Sequence, residues 1–258
     1  MLRNTLKHAL QEGRAVFGVG LTGPIDLPTL RIVADAGVEW IFTDLEHGSL
    51  DISELLTVVQ AADILGMCAV PRIPSLEYHW VARALDTGAL SVMVPRVESA
   101  AQAELAVQWC KFPPVGVRGQ GSPSFLSYAS VSGPDSVEIS NRETLVAVQI
   151  ETAAGVRHVE EIAAVPGVDV LFIGPRDLSI SLGHPGDSLA EDAVAAYRKV
   201  CDVARARGLA VGIVWEAAQT AFLYEMGVRM FSCGSALGYM RAGVNAAQKA
   251  FRQQIEGA

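Results

Sequence analysis

Side chains able to do chemistry fall, in this sequence, directly after short apolar runs. FTDLEHG at 42–48 carries Asp44, Glu46 and His47, VPRIP at 70–74 carries Arg72, QIET at 149–152 carries Gln149 and Glu151, and FIGPRD at 172–177 leads through Gly174 and Arg176 to Asp177. Glu151 and Asp177 offer the carboxylate oxygens that a hard divalent cation such as Mg²⁺ or Mn²⁺ takes, leaving other positions to water or substrate. Read singly, Glu151 is equally a helix-start residue and Asp177 an ordinary loop acid. The metal reading rests on both standing at matching strand ends. His47 follows Asp44 by three residues, and an aspartate so placed can hold an imidazole in one tautomer while the ring moves a proton near neutral pH. Arg72 stands between Val70-Pro71 and Ile73-Pro74, where the prolines restrict the backbone. Its guanidinium can polarise a carbonyl or carry enolate charge, or pair internally with Asp44 or Glu46. His8, His79, His158 and His184 have no comparable polar cluster in the sequence and are read as structural.

These residues share a site only if the runs before them are parallel strands that end at one face. Eight runs qualify: Val16 to Val19, Trp40 to Thr43, Cys68 to Val70, Ser91 to Val94, Leu145 to Ile150, Val170 to Ile173, Leu209 to Ile213 and Met230 to Ser232. Amphipathic stretches between them, such as Ile52 to Leu65, Ala100 to Trp109, Val156 to Ala164, Ala193 to Ala206 and Ala217 to Met226, return apolar residues every three or four positions and predict helices. Several strands follow a glycine that can end a helix in the left-handed conformation, as in DAGVEWIF, ILGMCAV, VPGVDVLF, ARGLAVGI and EMGVRMF. Nearly continuous apolar strands indicate a parallel sheet covered by helices. The expected fold is therefore a single (β/α)₈ TIM barrel over residues 1–258, with its chemistry at the C-terminal strand ends. A doubly wound open sheet is the alternative, but Gly18, Gly20 and Gly23 do not form its G-x-G-x-x-G turn. Two Gly-, Pro- and Ser-rich insertions, Phe112 to Arg142 and Ser181 to Glu191, are read as loops.

Composition narrows the function further. Half the residues are hydrophobic and 19% charged, which suits one large core. The net charge of −8 comes without any run of Lys or Arg, so nucleic acid is excluded as a partner. No apolar stretch approaches the ~18 residues of a membrane span. The opening MLRNTLKHALQEGR alternates charged and apolar residues, unlike the continuous apolar core of a secretory signal, and a cytoplasmic protein is expected. Cys68, Cys110, Cys201 and Cys233 lack zinc or disulfide spacing and are read as buried thiols. GVRGQGSPS at 116–124 lacks the Lys-Ser or Lys-Thr ending of a phosphate-binding loop and falls nominally at the face opposite the strand ends.

FTDLEHG, VPRIP, QIET and PGVDVLFIGPRDLSISLG at 166–183, in this order, closely resemble the HpcH/HpaI aldolase family, and the resemblance runs from about Phe17 to about Gly238. It implies a barrel whose last helix is exchanged between subunits, a homohexamer built as a trimer of dimers, and class II aldol chemistry on pyruvate. It further implies that Glu151 and Asp177 hold the metal, that His47 is the acid/base with Asp44 its partner, and that Arg72 stabilises the enolate. Gly174 and Arg176 correspond to the backbone that receives the pyruvate carboxylate, next to Gln149, and Asp86 to an acid at the site entrance that can reach a neighbour's pocket. The sequence departs from the family where SPSFLSYAS replaces further arginines, where Gly234-Ser235-Ala236 replaces Gly-Ser-Asp, and where Arg176 replaces a common alanine.

The expected reaction is reversible cleavage of a 4-hydroxy-2-oxo acid to pyruvate and an aldehyde, through a pyruvate enolate stabilised by Mg²⁺, Mn²⁺ or Co²⁺ and by Arg72, with His47 moving the 4-hydroxyl proton through a water. The four lysines, Lys7, Lys111, Lys199 and Lys249, lie in predicted helices or at their ends, so no Schiff base is expected. Two alternatives stay open. PRVES at 95–99 is closer to citrate-lyase β-type proteins and suggests an acyl-CoA ester lyase; a non-catalytic relative that binds metal and oxo acids would keep the same residues.

Overall fold

The structure, a computed structural model, describes residues 3–23, 25–121, 126 and 133–256. Each apolar run becomes a strand: β1 (Val16–Leu21), β2 (Trp40–Asp44), β3 (Cys68–Arg72), β4 (Ser91–Val94), β5 (Leu145–Ile150), β6 (Val170–Ile173), β7 (Ala210–Trp215) and β8 (Met230–Ser235). All neighbours pair parallel in sequence order, and β8 returns to β1 to close the barrel. Helices cover the outside: α2 (Leu27–Asp35), α3 (Ile52–Ile64), α4 (Tyr78–Asp86), α5 (Ala100–Cys110), α7 (Ala153–Arg157), α8 (Val159–Ile162), α9 (Pro175–Ser181), α10 (Glu191–Arg207) and α11 (Ala221–Met226). Two more, α1 (Thr5–Gln11) and α6 (Pro134–Glu143), lie outside this alternation, and α12 (Ala236–Glu256) follows β8.

The two-residue period of the strands sorts side chains into two apolar layers. Trp40, Phe42, Val70, Met93, Leu145, Ala147, Val170, Phe172 and Met230 fill the interior, where Phe42 stacks on Phe172 at 6.5 Å and Trp40 meets Phe172 edge-on at 6.3 Å. Their neighbours, such as Ile41, Val92, Val146 and Leu171, point outward under the helices. At the N-terminal strand ends, Leu6, Ala9 and Leu10 of α1 join the interior layer and close the barrel. Asn4 clamps this plug: its side-chain amide donates to the Leu90 carbonyl at 2.7 Å and to Ser91 and the Glu143 carbonyl at 3.0 Å, while its backbone N–H donates to the Glu143 carboxylate at 3.0 Å. With that end sealed, the C-terminal strand ends form the open mouth.

The five glycines expected to stop helices, Gly37, Gly66, Gly167, Gly208 and Gly227, all have φ between 70° and 118°. Three expected elements differ. Val156 to Ala164 is not one helix, because the Thr152 hydroxyl caps the Gly155 N–H at 3.0 Å and starts α7 earlier, and the chain breaks at His158 before α8. Ala217 to Met226 divides into a 3₁₀ turn, Ala217–Gln219, and α11. The insertion from Phe112 to Arg142 is not loop throughout, since Pro134 opens α6, a polar helix whose few apolar residues hide it from periodicity. Helix α12 is exposed at every position from 237 to 255. Among the described residues no helix is long and apolar enough to cross a membrane.

Candidate active site

The open mouth is a cavity of about 840 Å³ whose lining includes Asp44, His47, Arg72, Gln149, Gly174, Arg176 and Asp177. Four separate strand ends therefore converge. The pairing of β2 with β3 sets Asp44 opposite Arg72, and the guanidinium grips the carboxylate through both oxygens, Nε to Oδ1 at 3.0 Å and Nη2 to Oδ2 at 2.7 Å. Nη1 lies 3.1 Å from the Glu46 carboxylate, and Phe42 lies beneath the guanidinium at 5.2 Å. Burial would raise the Asp44 carboxyl, but Arg72 and the N–H groups of His47 and Glu46 outweigh it and hold this acid below the usual carboxylate range. Glu46 is pushed the other way, by burial and by the charges of Asp44 and Asp177, against the pull of Arg72 and His47. Both internal partners considered for Arg72 are thus made at once, while the guanidinium still lines the mouth.

The expected contact between Asp44 and the His47 ring is not formed. Asp44 Oδ1 accepts the backbone N–H groups of Glu46 at 3.0 Å and His47 at 3.2 Å, which folds the loop tightly over the strand end and leaves the ring outside the carboxylate's reach. The imidazole is largely exposed, with Nε2 3.8 Å from Glu46 Oε1. Glu46 is consequently the nearer acid to the His47 ring.

Glu151 is a buried acid of the site, 2% exposed. Its Oε1 accepts the backbone N–H of Arg96 at 2.9 Å, and Arg96, at φ 53°, is the one non-glycine residue with left-handed backbone among those described. Its Oε2 is buried without a hydrogen-bond partner among the described residues, as is Gln149 Oε1. A Cβ at position 174 would come within 2.5 Å of Glu151 Oε2 and 2.8 Å of Gln149 Nε2, so glycine there lets these groups reach the mouth. Burial, then the negative charges of Asp177 and Glu46, lift the Glu151 carboxyl to about 7 against the opposing Arg96 N–H and Arg72. The mutual repulsion of Glu151 and Asp177 places them in one electrostatic neighbourhood, and buried polar atoms without partners call for a ligand or ion. Two carboxylates with an unmet oxygen fit a hard divalent cation. Among the described residues no cluster of three His, Cys, Asp or Glu side chains is poised around an ion, so such a site would draw its remaining oxygens from water or substrate.

Asp86 is not brought to this mouth. It ends α4 at the sealed face, ion-paired with Arg118 at 2.8 Å, and a Cβ on Gly121 would collide with its carboxylate at 2.2 Å. The segment GVRGQGSPS lies at that face as expected, apart from Ser122 to Ser124, which fall outside the described residues. The other histidines make local contacts: His8 with Glu143 at 3.0 Å, His79 with Glu77 at 3.5 Å, His158 with the Glu98 carbonyl at 2.8 Å and His184 with Asp192 at 2.9 Å. Rim residues not singled out from sequence, Trp215, Glu216, Ser188 and Gln219, also line the cavity, and no lysine does so among the described residues.

A closed parallel barrel with acids, a locked guanidinium and an imidazole at its C-terminal mouth is the arrangement of a (β/α)₈ barrel enzyme. The family model described as HpcH/HpaI aldolase/citrate lyase matches residues 27–241, and the chain belongs to that family. It is similar to a hydroxypyruvate/pyruvate aldolase of Paraburkholderia phytofirmans, 39% identical over 81% of this chain and 82% of that one. It is also similar to a 5-keto-4-deoxy-D-glucarate aldolase of Klebsiella pneumoniae, 34% identical over 97% of both chains. The crystal structure of an HpcH/HpaI aldolase from Desulfitobacterium hafniense superposes with a TM-score of 0.90 at 30% identity, covering 96% of each chain. The protein is an enzyme, a carbon–carbon lyase of the aldolase type.

Proposed function

We propose that the enzyme is a class II aldolase that reversibly cleaves 4-hydroxy-2-oxo acids into pyruvate, or its hydroxylated analogue, and an aldehyde. The observation that carries this reading is the buried Glu151 Oε2, without a partner among the described residues and packed against Gly174 of the mouth that Asp177 and Arg72 line. A divalent cation, Mg²⁺, Mn²⁺ or Co²⁺, held by Glu151 and Asp177 supplies Lewis acidity when bound. Gln149 and the backbone at Gly174 and Arg176 orient the 2-oxo acid through its carboxylate. The Arg72 guanidinium, fixed by Asp44 and Glu46, faces the oxygen on which enolate charge develops and needs no reorganisation as it forms. His47 takes the 4-hydroxyl proton, directly or through water. The C3–C4 bond then breaks, its electron pair passes into the enolate, and a proton returned to C3 completes the pyruvate methyl. The names of the relatives support pyruvate and hydroxypyruvate as the nucleophilic partners.

Self-association belongs to the same reading. The exposed α12 and the distance of Asp86 from its own mouth support exchange of the last helix, and the trimer-of-dimers homohexamer, as the working assembly. The enzymatic test is exchange of pyruvate methyl protons in D₂O and condensation of pyruvate with an aldehyde panel. Both should require a divalent cation, and both should fall by at least about 100-fold in Glu151→Gln and Asp177→Asn. Full turnover in excess chelator would overturn the metal assignment, and full turnover in His47→Ala would overturn the acid/base assignment.

A further inference from the structure

One wall of the mouth holds a buried hydroxyl that the aldol steps above do not use. Ser232 stands two residues after the interior Met230 on β8, so the strand period turns its side chain into the barrel, where it lines the cavity. The residue is 1% exposed, and its Oγ has no hydrogen-bond partner among the described residues. Its neighbours in the sheet are Gly18 on β1 and Val214 on β7, one without a side chain and the other apolar. Across Gly18 stands Trp40, whose indole occupies the space of the missing Cβ. The Trp40 Nε1 is also buried without a partner, but it is Ser232 that the cavity reaches. A buried hydroxyl left unmet is costly and calls for a ligand group or a water.

The wall around Ser232 selects the kind of group. The strand residues of β7, β8 and β1 that line the cavity, Val214, Trp215, Ser232, Gly234, Ser235 and Gly20, carry no charge, and Glu216, which follows β7 at the rim, is acidic. A neutral hydroxyl, which both donates and accepts, suits this wall better than an anion. Topology selects the position. In the closed ring β8 lies opposite β4, whose neighbours β3 and β5 carry Arg72 and Gln149. In the reading above, Arg72 and the cation take the oxygen on C2 of the 2-oxo acid, and the backbone at Gly174 and Arg176, after β6, takes the carboxylate. The third bond of the trigonal C2, to C3, is left to point toward β8 and β1.

We infer that Ser232 is a specificity residue for the donor, hydrogen-bonding a hydroxyl on C3 of the 2-oxo acid. The inference rests on the aldolase reading above and deepens it, by assigning the choice of donor to one side chain. A 3-hydroxy-2-oxo acid satisfies the buried hydroxyl, whereas a donor with an apolar C3 substituent leaves it unmet, and a site built to bond a substrate hydroxyl discriminates against the analogue that lacks it.

The experiment compares hydroxypyruvate with 2-oxobutanoate as donors to propanal at saturating Mg²⁺, because their C3 substituents, a hydroxyl and a methyl, are close in size and only the first hydrogen-bonds. The readout is the ratio of the two kcat/KM values, which partial unfolding of a variant leaves alone. The unmodified enzyme prefers hydroxypyruvate. Ser232→Ala lowers the ratio about 3- to 30-fold, the range of one buried neutral hydrogen bond and its unmet alternative. Ser232→Thr, which keeps a hydroxyl and whose added bulk meets both donors alike, retains most of the preference. The ratio of the Kd values of the two oxo acids, measured by calorimetry without an aldehyde, moves in the same direction as the kinetic ratio. Either ratio staying within about twofold in Ser232→Ala, as when the hydroxyl holds only a water shared with Trp40, overturns the assignment, and so does a threonine variant that loses as much as alanine. Exchange of pyruvate methyl protons by the unmodified enzyme separates the two levels: exchange with an unmoved ratio removes the Ser232 assignment alone, and no exchange removes the aldolase reading and this inference with it.

Discussion

At the scale of single residues, Glu151 gives the proposed cation site its most direct test. With its carboxyl lifted to about 7 from an ordinary 4.5, the cation-free fold holds a proton there over a range in which the unfolded chain has lost it. More protons bound by the folded state means that stability falls as pH rises from about 4.5 to about 7. The accumulated loss is on the order of 1–3 kcal/mol for a group this buried. Glutamine cannot ionise, so cation-free Glu151→Gln should lack this loss and exceed the unmodified protein in stability at pH 8, the expected trade between stability and function. Mg²⁺ or Mn²⁺ at pH 8 should raise the melting temperature of the unmodified protein and leave that of Glu151→Gln unmoved, and the cation effect should fade as pH drops below 7 because the ligand must be ionised. Urea unfolding with and without metal between pH 5 and 8 checks each part; parallel pH profiles for the two proteins would remove the basis of the argument.

At the scale of elements, the mouth depends on how a strand ends. After β4 the backbone turns left-handed at Arg96 to aim its N–H at Glu151, a conformation that costs a side-chain-bearing residue about 1 kcal/mol. Arg96→Gly should relieve this strain and raise the unfolding free energy by up to about 1 kcal/mol, whereas Arg96→Val should lower it and weaken cation binding as Glu151 loses its anchor. Calorimetry and cation titration of the two variants give the comparison, and a glycine variant no more stable than valine would refute it. The turn also marks where the sequence ceased to be readable. All eight strands were visible as apolar runs because parallel strands are buried on both faces, yet β1, β7 and β8 run on through Leu21, Trp215 and Ser235. In β1 and β8 it is Gly20, Gly234 and Ser235, which line the cavity, that carry the ladder past the apolar run, whereas β7 continues through the apolar Val214 and Trp215. The pairing of Asp44 with Arg72 was legible once their strands were adjacent. The outward His47 ring was not, because it depends on which group Asp44 binds, and the contact between Arg96 and Glu151 joins residues with no periodic relation.

For the molecule as a whole, the decisive feature is α12, which touches the barrel only at its start and is exposed from 237 to 255 among the described residues. Leu237, Met240, Val244, Phe251 and Ile255 of α12 are each 58% to 65% exposed, and their spacings of three, four, seven and four residues set them along one helical face. Single exposed apolar residues need no explanation, but a stripe this long supports the self-association proposed above. The area it offers is too regular for a loop contact and too apolar for water, and a second copy presenting the same stripe and the open groove lined by Leu27, Pro28, Ile64 and Leu65 would cover it reciprocally. Val244→Glu together with Phe251→Glu should therefore shift the protein to smaller assemblies in sedimentation velocity at micromolar concentration, without altering the far-ultraviolet circular dichroism of the barrel. An unchanged sedimentation coefficient would show that the stripe is not what holds the copies together. A smaller species that keeps its pyruvate proton exchange would show that each barrel carries a complete enolate site, whereas loss of exchange on dissociation would mean that groups such as Asp86, far from their own mouth, complete the mouth of a neighbour.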